Sequence, residues 1–234
     1  HTSGGAEAAT SQHIHHEVWL QMNTVQSGHG GGHDVPVWDW IARDYALTPP
    51  KPTLDAEPNY EDHPVNPWPV WDPASGYFRD YDVRKQSYRS VFAGGCGVSY
   101  GHHSVWQFWS PKQEAINHAD RYWTEALQRP GAAQVGYLRR LIASRPMLQT
   151  TPDSSLILVG QGEKGEHITA FRATDGSYAM IYLPVGKTLT IHTRKLRGKQ
   201  LTAWWWNPQT GHPKKIGTIA KQLEMTFIPP TLGP

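Results

Sequence analysis

Apolar and polar positions change rhythm twice along the chain. Residues 20–26 (LQMNTVQ) read as a strand that runs into a glycine-rich loop, 27–34, carrying His29 and His33. Val37, Trp40, Ile41 and Tyr45 then recur at helical spacing, and the prolines after Leu47 stop that helix. A short extended run follows, entered through Pro49, Pro50 and Pro52 and closed by Pro58. Strand, loop, helix, strand is the order of a parallel α/β sheet or barrel. Residues 62–81 are a long loop rich in proline and aromatic residues. Residues 82–92 predict a helix with Asp80 or Asp82 as cap, and residues 98–108 begin as a strand and end in a loop of histidines and aromatics. Periodicity predicts two more helices, over 112–127 and 131–144.

After a linker at 146–152 the pattern becomes one of short strands: 156–159, 168–172, 178–183, 189–193, 201–206 and 223–227. Turn signals separate them, at Asp175–Gly176, 185–187, 197–199 and 207–211, which predicts an antiparallel sandwich or barrel. The expected organisation is an α/β domain over 1–147 and a β domain over 148–234. The opening residues, HTSGGAEAATS, read as a loop.

The charges nearly balance, 22 basic against 20 acidic residues, so net charge gives no reason to expect a nucleic acid or a membrane surface as partner. Eleven Trp and ten Tyr with few charges suit either neutral, ring-shaped ligands or a β-rich core. The single Cys96 excludes an internal disulfide and is expected as a small buried thiol at a tight helix–strand junction.

The chemistry concentrates between Lys51 and Glu61, KPTLDAEPNYE. The residue before a proline is held extended, so Glu57 is expected at a strand's last position. Asp55, two residues earlier, is expected on the same face. An acid fixed at a strand's C-terminal end, with Tyr60 and Glu61 in the next loop, is how α/β barrels build active sites; a capped turn with solvated acids is the plainer reading. Several other patterns carry less. Gly160, Gly162 and Gly165 match a dinucleotide fingerprint, but a strand-like segment follows where a helix is required, so a hairpin loop is expected. Histidines at 13, 15 and 16, at 29 and 33, and at 102 and 103 lack metal-ligand spacing, so no metal and no cofactor is expected. Trp204, Trp205 and Trp206 on a strand place the outer two on one face, as core or as an exposed sugar-stacking platform.

Taken together, HTSGG, VWLQMNTVQSGHG, YALTPPKPTLDAEPNYEDHPVN, YDVRKQSYRSVFAGGCGVSYGHHSVWQF, DGSYAMIYLPVGKTLTI and LTAWWWNPQTG resemble the apiosidase-like glycoside hydrolases, whose C-terminal β domain carries a collagen-binding label. The resemblance implies the C-terminal part of a (β/α)8 TIM barrel, about strands five to eight, followed by an antiparallel β-sandwich. In that register Gln26–His29 end strand six, Asp55–Glu57 end strand seven and Tyr100–Trp106 follow strand eight. Glu57 becomes the nucleophile-side carboxylate. Gln26, His29, Asp55, Tyr60, Glu61, Tyr100, His102 and Trp106 become substrate-binding. The partner acid belongs to strand four, in a GGD-type motif that this sequence lacks. The implied activity is hydrolysis of a polysaccharide side chain, outside the cell or in the periplasm, with a missing N-terminal half of the same barrel as a further partner. A non-catalytic binding module is the other reading.

Overall fold

A computed structural model describes residues 9–232, so the HTSGG stretch lies outside the described residues. The first part is built on three short parallel strands, β1 (Asn23–Val25), β2 (Thr53–Asp55) and β3 (Gly97–Val98), in that order. Ala9 bridges Val25, so the outer edge of β1 is partly covered. After one helical turn, α1 (Ser11–Ile14), the chain places the helices α2 (Val37–Tyr45) and α3 (Asp80–Phe92) on one face of this sheet. Thr53 and Asp55 point to them, since Thr53 bonds Asp44 of α2 at 3.4 Å and Ser90 of α3 donates to Asp55 at 2.5 Å. By alternation Leu54 faces the other way, and with Met22 and Cys96 it leaves that face partly open.

The α2 pattern folds as read, with Val37 and Ile41 buried, but Tyr45 is exposed and Trp40 turns toward a cleft. The strand expected over 20–26 is shorter, and Glu57 lies in a bend two residues past the end of β2. Cys96 is exposed, with its Sγ 3.9 Å from Met22 Sδ, which corrects the expectation of a buried thiol.

α3 is the centre of the molecule. Eleven of its thirteen residues are buried although most are polar, because the sheet, helix α6 (Gly131–Ala143) and the β part all pack on it. Its start is fixed by Asp82, which accepts the Arg79 backbone N–H at 2.9 Å. Burying cations is costly unless each is bonded. Arg84 therefore donates to Asp80 and Gln134, Lys85 to Asp34 at 2.8 Å, and Arg89 to the carbonyls of Lys164 at 2.7 Å and His167 at 3.2 Å.

The helix predicted over 112–127 does not form. Only α4 (His103–Trp106) and α5 (Trp123–Ala126) are helical in this region. Asn117 and His118 adopt left-handed backbone. The Ile116 N–H is taken by the Gln107 side chain at 2.8 Å, and His103 Nε2 donates to the carbonyls of Ile116 and Asn117, both at 3.0 Å. Side chains outside the segment thus claim the backbone groups that a helix would have used.

The rest is β-rich. The linker region supplies β4 (Thr150–Pro152), which joins β6 (Thr169–Ala173) and β7 (Ala179–Tyr182) in an antiparallel sheet ordered β4-β6-β7. A second antiparallel sheet is ordered β11-β8-β5, from β5 (Ile157–Val159), β8 (Leu189–His192) and β11 (Glu224–Phe227). A long ribbon pairs β9 (Gln200–Asn207) with β10 (His212–Ala220), a strand that the sequence reading does not place. The glycines at 160, 162 and 165 lie between β5 and β6, which belong to different sheets, so the loop is a crossover and not a hairpin. Phe171 and Tyr182 meet Tyr88 and Phe92 of α3 in one core; Ile168, Leu189, Ile191 and Met225 form another, with Leu201 and Ile219 of the ribbon against it.

Candidate active site

The C-terminal ends of β1 and β2 are tied together. The Gly28 N–H donates to the Glu57 carbonyl at 3.0 Å, and the Ala56 N–H donates to the Val25 carbonyl at 2.9 Å. A Cβ on Gly28 would overlap the backbone carbonyl of Pro58, so only glycine allows this approach. The tie puts His29 beside Glu57, with Nε2 3.3 Å from Oε1 and the Glu57 side chain 18 % exposed. His29, and to a lesser degree Gln26, holds the Glu57 carboxyl below the usual range against the opposing effect of partial burial. Glu57 is an ionised, reachable carboxylate.

Asp55 has a different role. It is fully buried, accepting from Ser27 Oγ at 2.7 Å and Ser90 Oγ at 2.5 Å, and burial pushes its carboxyl up to about 6 despite those bonds. Gln86 of α3 also donates to Ser27 Oγ at 2.6 Å, so α3 anchors the loop that carries His29. The expectation that Asp55 and Glu57 share one face is corrected: Asp55 faces α3, and Glu57 lies in the bend after β2, outside the strand's alternation.

Glu61 and His102 also lie behind the surface. Glu61 is buried, accepting Tyr100 OH at 2.8 Å and the Gly131 N–H at the start of α6 at 2.9 Å. Burial raises its carboxyl, and burial together with Glu61 raises the Tyr100 hydroxyl. His102 Nε2 bonds Asp62 at 3.1 Å. Asp62 also meets Arg79, Arg121 and Arg129, and these partners outweigh its burial and lower it to about 2. These residues brace the loops after β2 and β3 and offer little to a ligand.

Behind the surface runs a row of rings, with His29, His63 and His103 buried. Tyr60 meets His29 edge-on at 4.5 Å, His29 stacks on His63 at 4.1 Å, His63 meets His103 at 4.4 Å, and His103 meets Trp106 at 6.0 Å. Trp68 lies 5.8 Å from His63. Trp68 and Trp106 are the open ends, 55 % and 49 % exposed. Burial drives His63 down to about 2 and His103 down to about 4, so both are neutral rings near pH 7. His29 and Gln26, the partners of Glu57, line one end of a cleft of about 360 Å³ with Val35, Trp40 and Trp68. Aromatic walls with a few polar groups at one end suit a sugar ring.

Sequence reading misses Ser27, Ser90, His63, Trp40 and Trp68. The aromatic- and proline-rich loop at 62–81 is the one signal that could have pointed to His63 and Trp68. Among the described residues no group of three or more His, Cys, Asp or Glu is arranged to hold a metal, and no helix is long and apolar enough to cross a membrane.

Comparison with known proteins adds the family. The family model described as "Apiosidase-like, catalytic domain" matches residues 1–149, and that described as "Putative collagen-binding domain of a collagenase" matches residues 151–233. A solved structure titled glycoside hydrolase is 31 % identical with a TM-score of 0.87, covering 96 % of this chain and 52 % of its own. A glycoside hydrolase family 5 structure from Bacteroides vulgatus is 32 % identical with a TM-score of 0.88, covering 96 % of this chain and 50 % of its own. The chain thus spans about half the length of these solved structures. No curated protein matches it. Through residues 1–149 the chain belongs to the apiosidase-like catalytic family.

Proposed function

We propose that the chain is the C-terminal part of a glycosidase acting on a polysaccharide side chain, with Glu57 as its nucleophile-side carboxylate. The observation that carries this is Glu57 itself: a partly exposed carboxylate two residues past β2, held ionised by His29 and Gln26, which also line an aromatic cleft. An acid that stays charged suits attack on, or stabilisation of, an oxocarbenium-like centre and is poorly suited to proton donation.

Glycoside hydrolysis needs a second carboxyl group, about 5 Å away for retention and farther for inversion. Asp55 and Glu61 are sealed in the interior and bonded, so neither fills that role. The resemblance to the apiosidase-like enzymes then assigns the acid/base to a strand outside these 234 residues. The partly open sheet face at Met22, Leu54 and Cys96 supports a (β/α)8 barrel completed by further strands, of which β1, β2 and β3 are the sixth, seventh and eighth. Residues from about 148 onward form a β-sandwich that packs on α3 and does no chemistry; the two antiparallel sheets sharing one apolar core support this. The parent protein works outside the cell or in the periplasm, where polysaccharide is met.

The test is a chain extended at its N-terminus to the length of the solved relatives, screened against branched pectic and arabinose-type glycans. Sugar release that Glu57→Gln abolishes while substrate is still bound supports the reading. No release from any glycan, with Glu57→Gln binding unchanged, favours the second reading, a non-catalytic binding module, which the single reachable carboxylate described above also accommodates.

A further inference from the structure

The cleft of about 360 Å³ and the Glu57 carboxylate share two side chains but not the same space. His29 and Gln26 bond Glu57 and also line the cleft, whereas Glu57 does not line it. A sugar ring seated in the cleft therefore has His29 and Gln26 between it and the carboxylate. It is not the ring that Glu57 reaches, but it lies one step from that position. The rest of the lining is the glycine loop after β1, Val35, Pro36, Trp40 of α2 and Trp68 of the loop after β2. Among the described residues no Asp, Glu, Lys or Arg belongs to it.

The segment that carries Trp68 is tied to the opposite loop through Asn66. The Asn66 backbone N–H donates to the His29 carbonyl at 3.1 Å, and its side-chain oxygen accepts the Gly32 N–H at 3.0 Å. Asn66 and His29 both take left-handed backbone, with φ 50° and 75°. Asn is one of the few residues that enter this region routinely, so position 66 suits its residue type. Pro67 is buried and restricts the backbone step between Asn66 and Trp68. Asn66 itself is exposed, so its side-chain bond holds one loop to the other and fills no core.

We propose that the cleft is a subsite for one uncharged sugar unit next to the scissile bond, with Trp68 and Trp40 as its stacking surface and Asn66 as the residue that positions Trp68. The apolar C–H face of a neutral ring covers an indole, and its hydroxyls reach Gln26 and the backbone groups of the glycine loop. A uronate unit is excluded by its charge. Its carboxylate would lose water without gaining a cation, since His29 is the one basic side chain in the lining and its Nε2 is held by Glu57. The Glu57 charge behind His29 would repel it as well. The position next to the scissile bond rests on the glycosidase reading, whereas the preference for an uncharged ring does not. Binding is measured without hydrolysis, so each can fail separately.

The test is calorimetric titration of the 234-residue chain with arabinotetraose, galactotetraose, xylotetraose and tetragalacturonate. At least one neutral tetrasaccharide is expected to bind, and tetragalacturonate about tenfold more weakly or not at all. Trp68→Ala weakens the neutral ligand about fivefold, the contribution of a stacked ring. Asn66→Ala weakens it about threefold, and Asn66→Asp, which keeps an acceptor for the Gly32 N–H, restores most of the loss. Both side chains are exposed, so unchanged melting temperatures are expected. In the N-terminally extended enzyme Trp68→Ala raises KM more than it lowers kcat. Binding without hydrolysis by the extended enzyme supports the sugar subsite and counts against the glycosidase reading. The proposal is overturned if no neutral tetrasaccharide binds, if tetragalacturonate binds as tightly, or if Trp68→Ala leaves binding unchanged. Asn66→Asp binding no better than Asn66→Ala would remove the positioning role of Asn66.

Discussion

His29 Nε2 lies 3.3 Å from Glu57 Oε1, while the buried Nδ1 of the same ring has no hydrogen-bond partner. A proton on Nδ1 would be an unsatisfied buried donor, so the favoured tautomer carries its proton on Nε2 and donates it to Glu57. The ring is clamped between Tyr60 and His63 and cannot swing away. His29 thereby orients the carboxylate and sets its charge.

In the N-terminally extended enzyme, His29→Ala should raise the Glu57 pKa and move the acidic limb of the kcat/KM profile to higher pH. The rate at the optimum should fall about 10–100-fold, the usual scale for losing an orienting partner of a reacting group. His29→Gln, which keeps a donor, should recover part of both effects. An unmoved acidic limb in His29→Ala would show that the contact has no electrostatic role.

Asp55 gives a stability effect of unusual sign. Its carboxyl releases its proton near 3.8 when unfolded and near 6 when folded, so the folded state holds more protons between these values. Its contribution therefore falls as pH rises from about 4 to 6, by about 3 kcal/mol at full effect. Asp55→Asn should remove that fall while keeping acceptors for Ser27 and Ser90. The variant's gain relative to the parent chain should be larger at pH 7 than at pH 4 in urea titrations; equal differences at both would contradict the buried-acid reading.

His63 and His103 act in the opposite direction. Both are held well below their ordinary value, at about 2 and about 4, so the unfolded chain takes up protons that the folded chain refuses. Their contribution is present above about 6.5 and is lost as pH falls toward the folded values. The melting temperature should drop between pH 6.5 and pH 4. His63→Phe, which keeps a stacked ring, should make that drop shallower, as followed by circular dichroism.

How much of this was legible follows from where each signal resides. Glu57 could be found because Pro58 and the short extended run fix the local backbone, and local backbone is what sequence encodes most directly. The α2 face at Val37 and Ile41 was readable for the same reason. Asp55 was readable as an acid near the site but not as a buried one, since Ser90, 35 residues away, decides that. The pairing of His29 with His63 depends on a loop folding back, and periodicity does not record loops. The false helix at 112–127 has good periodicity, but His103 and Gln107 capture its backbone from outside. α3 shows no apolar stripe because it is surrounded, and its buried bases only make sense once their distant acceptors are known.

Arg89 tests that last point. It is buried on α3, caps the carbonyls of Lys164 and His167, and lies 4.8 Å from the Trp38 ring, which in turn stacks on His167 at 4.1 Å. Arg89→Met keeps most of the volume but leaves two carbonyls without their donor. A loss of about 2–4 kcal/mol in urea unfolding is expected. Proteolysis should then begin in the 160–167 loop; unchanged stability would mean that water replaces the guanidinium without cost.

Gly28→Ala probes the geometry of the site with the smallest change available. Gly28 has ordinary backbone angles, so strain in its own conformation is not the issue. The obstacle is contact: a methyl group there would overlap the carbonyl of Pro58 and press on the Asn59 N–H, both backbone atoms that cannot rotate away. The chain can relieve the overlap only by separating the ends of β1 and β2. That would lengthen the 3.0 Å bond from the Gly28 N–H to the Glu57 carbonyl and draw His29 off Glu57. The core beneath is expected to hold, because the apolar cluster of Val25, Val37 and Ile41 includes no residue of the loop at 26–31. Stability should therefore fall by only about 1–3 kcal/mol, as for other overpacked sites. Activity of the extended enzyme should fall about 100-fold, the scale of a misplacement near 1 Å. The loss should appear in kcat more than in KM, since the cleft walls at Trp40 and Trp68 stay in place. A variant with wild-type kcat would show that the approach of the two strand ends does not position Glu57.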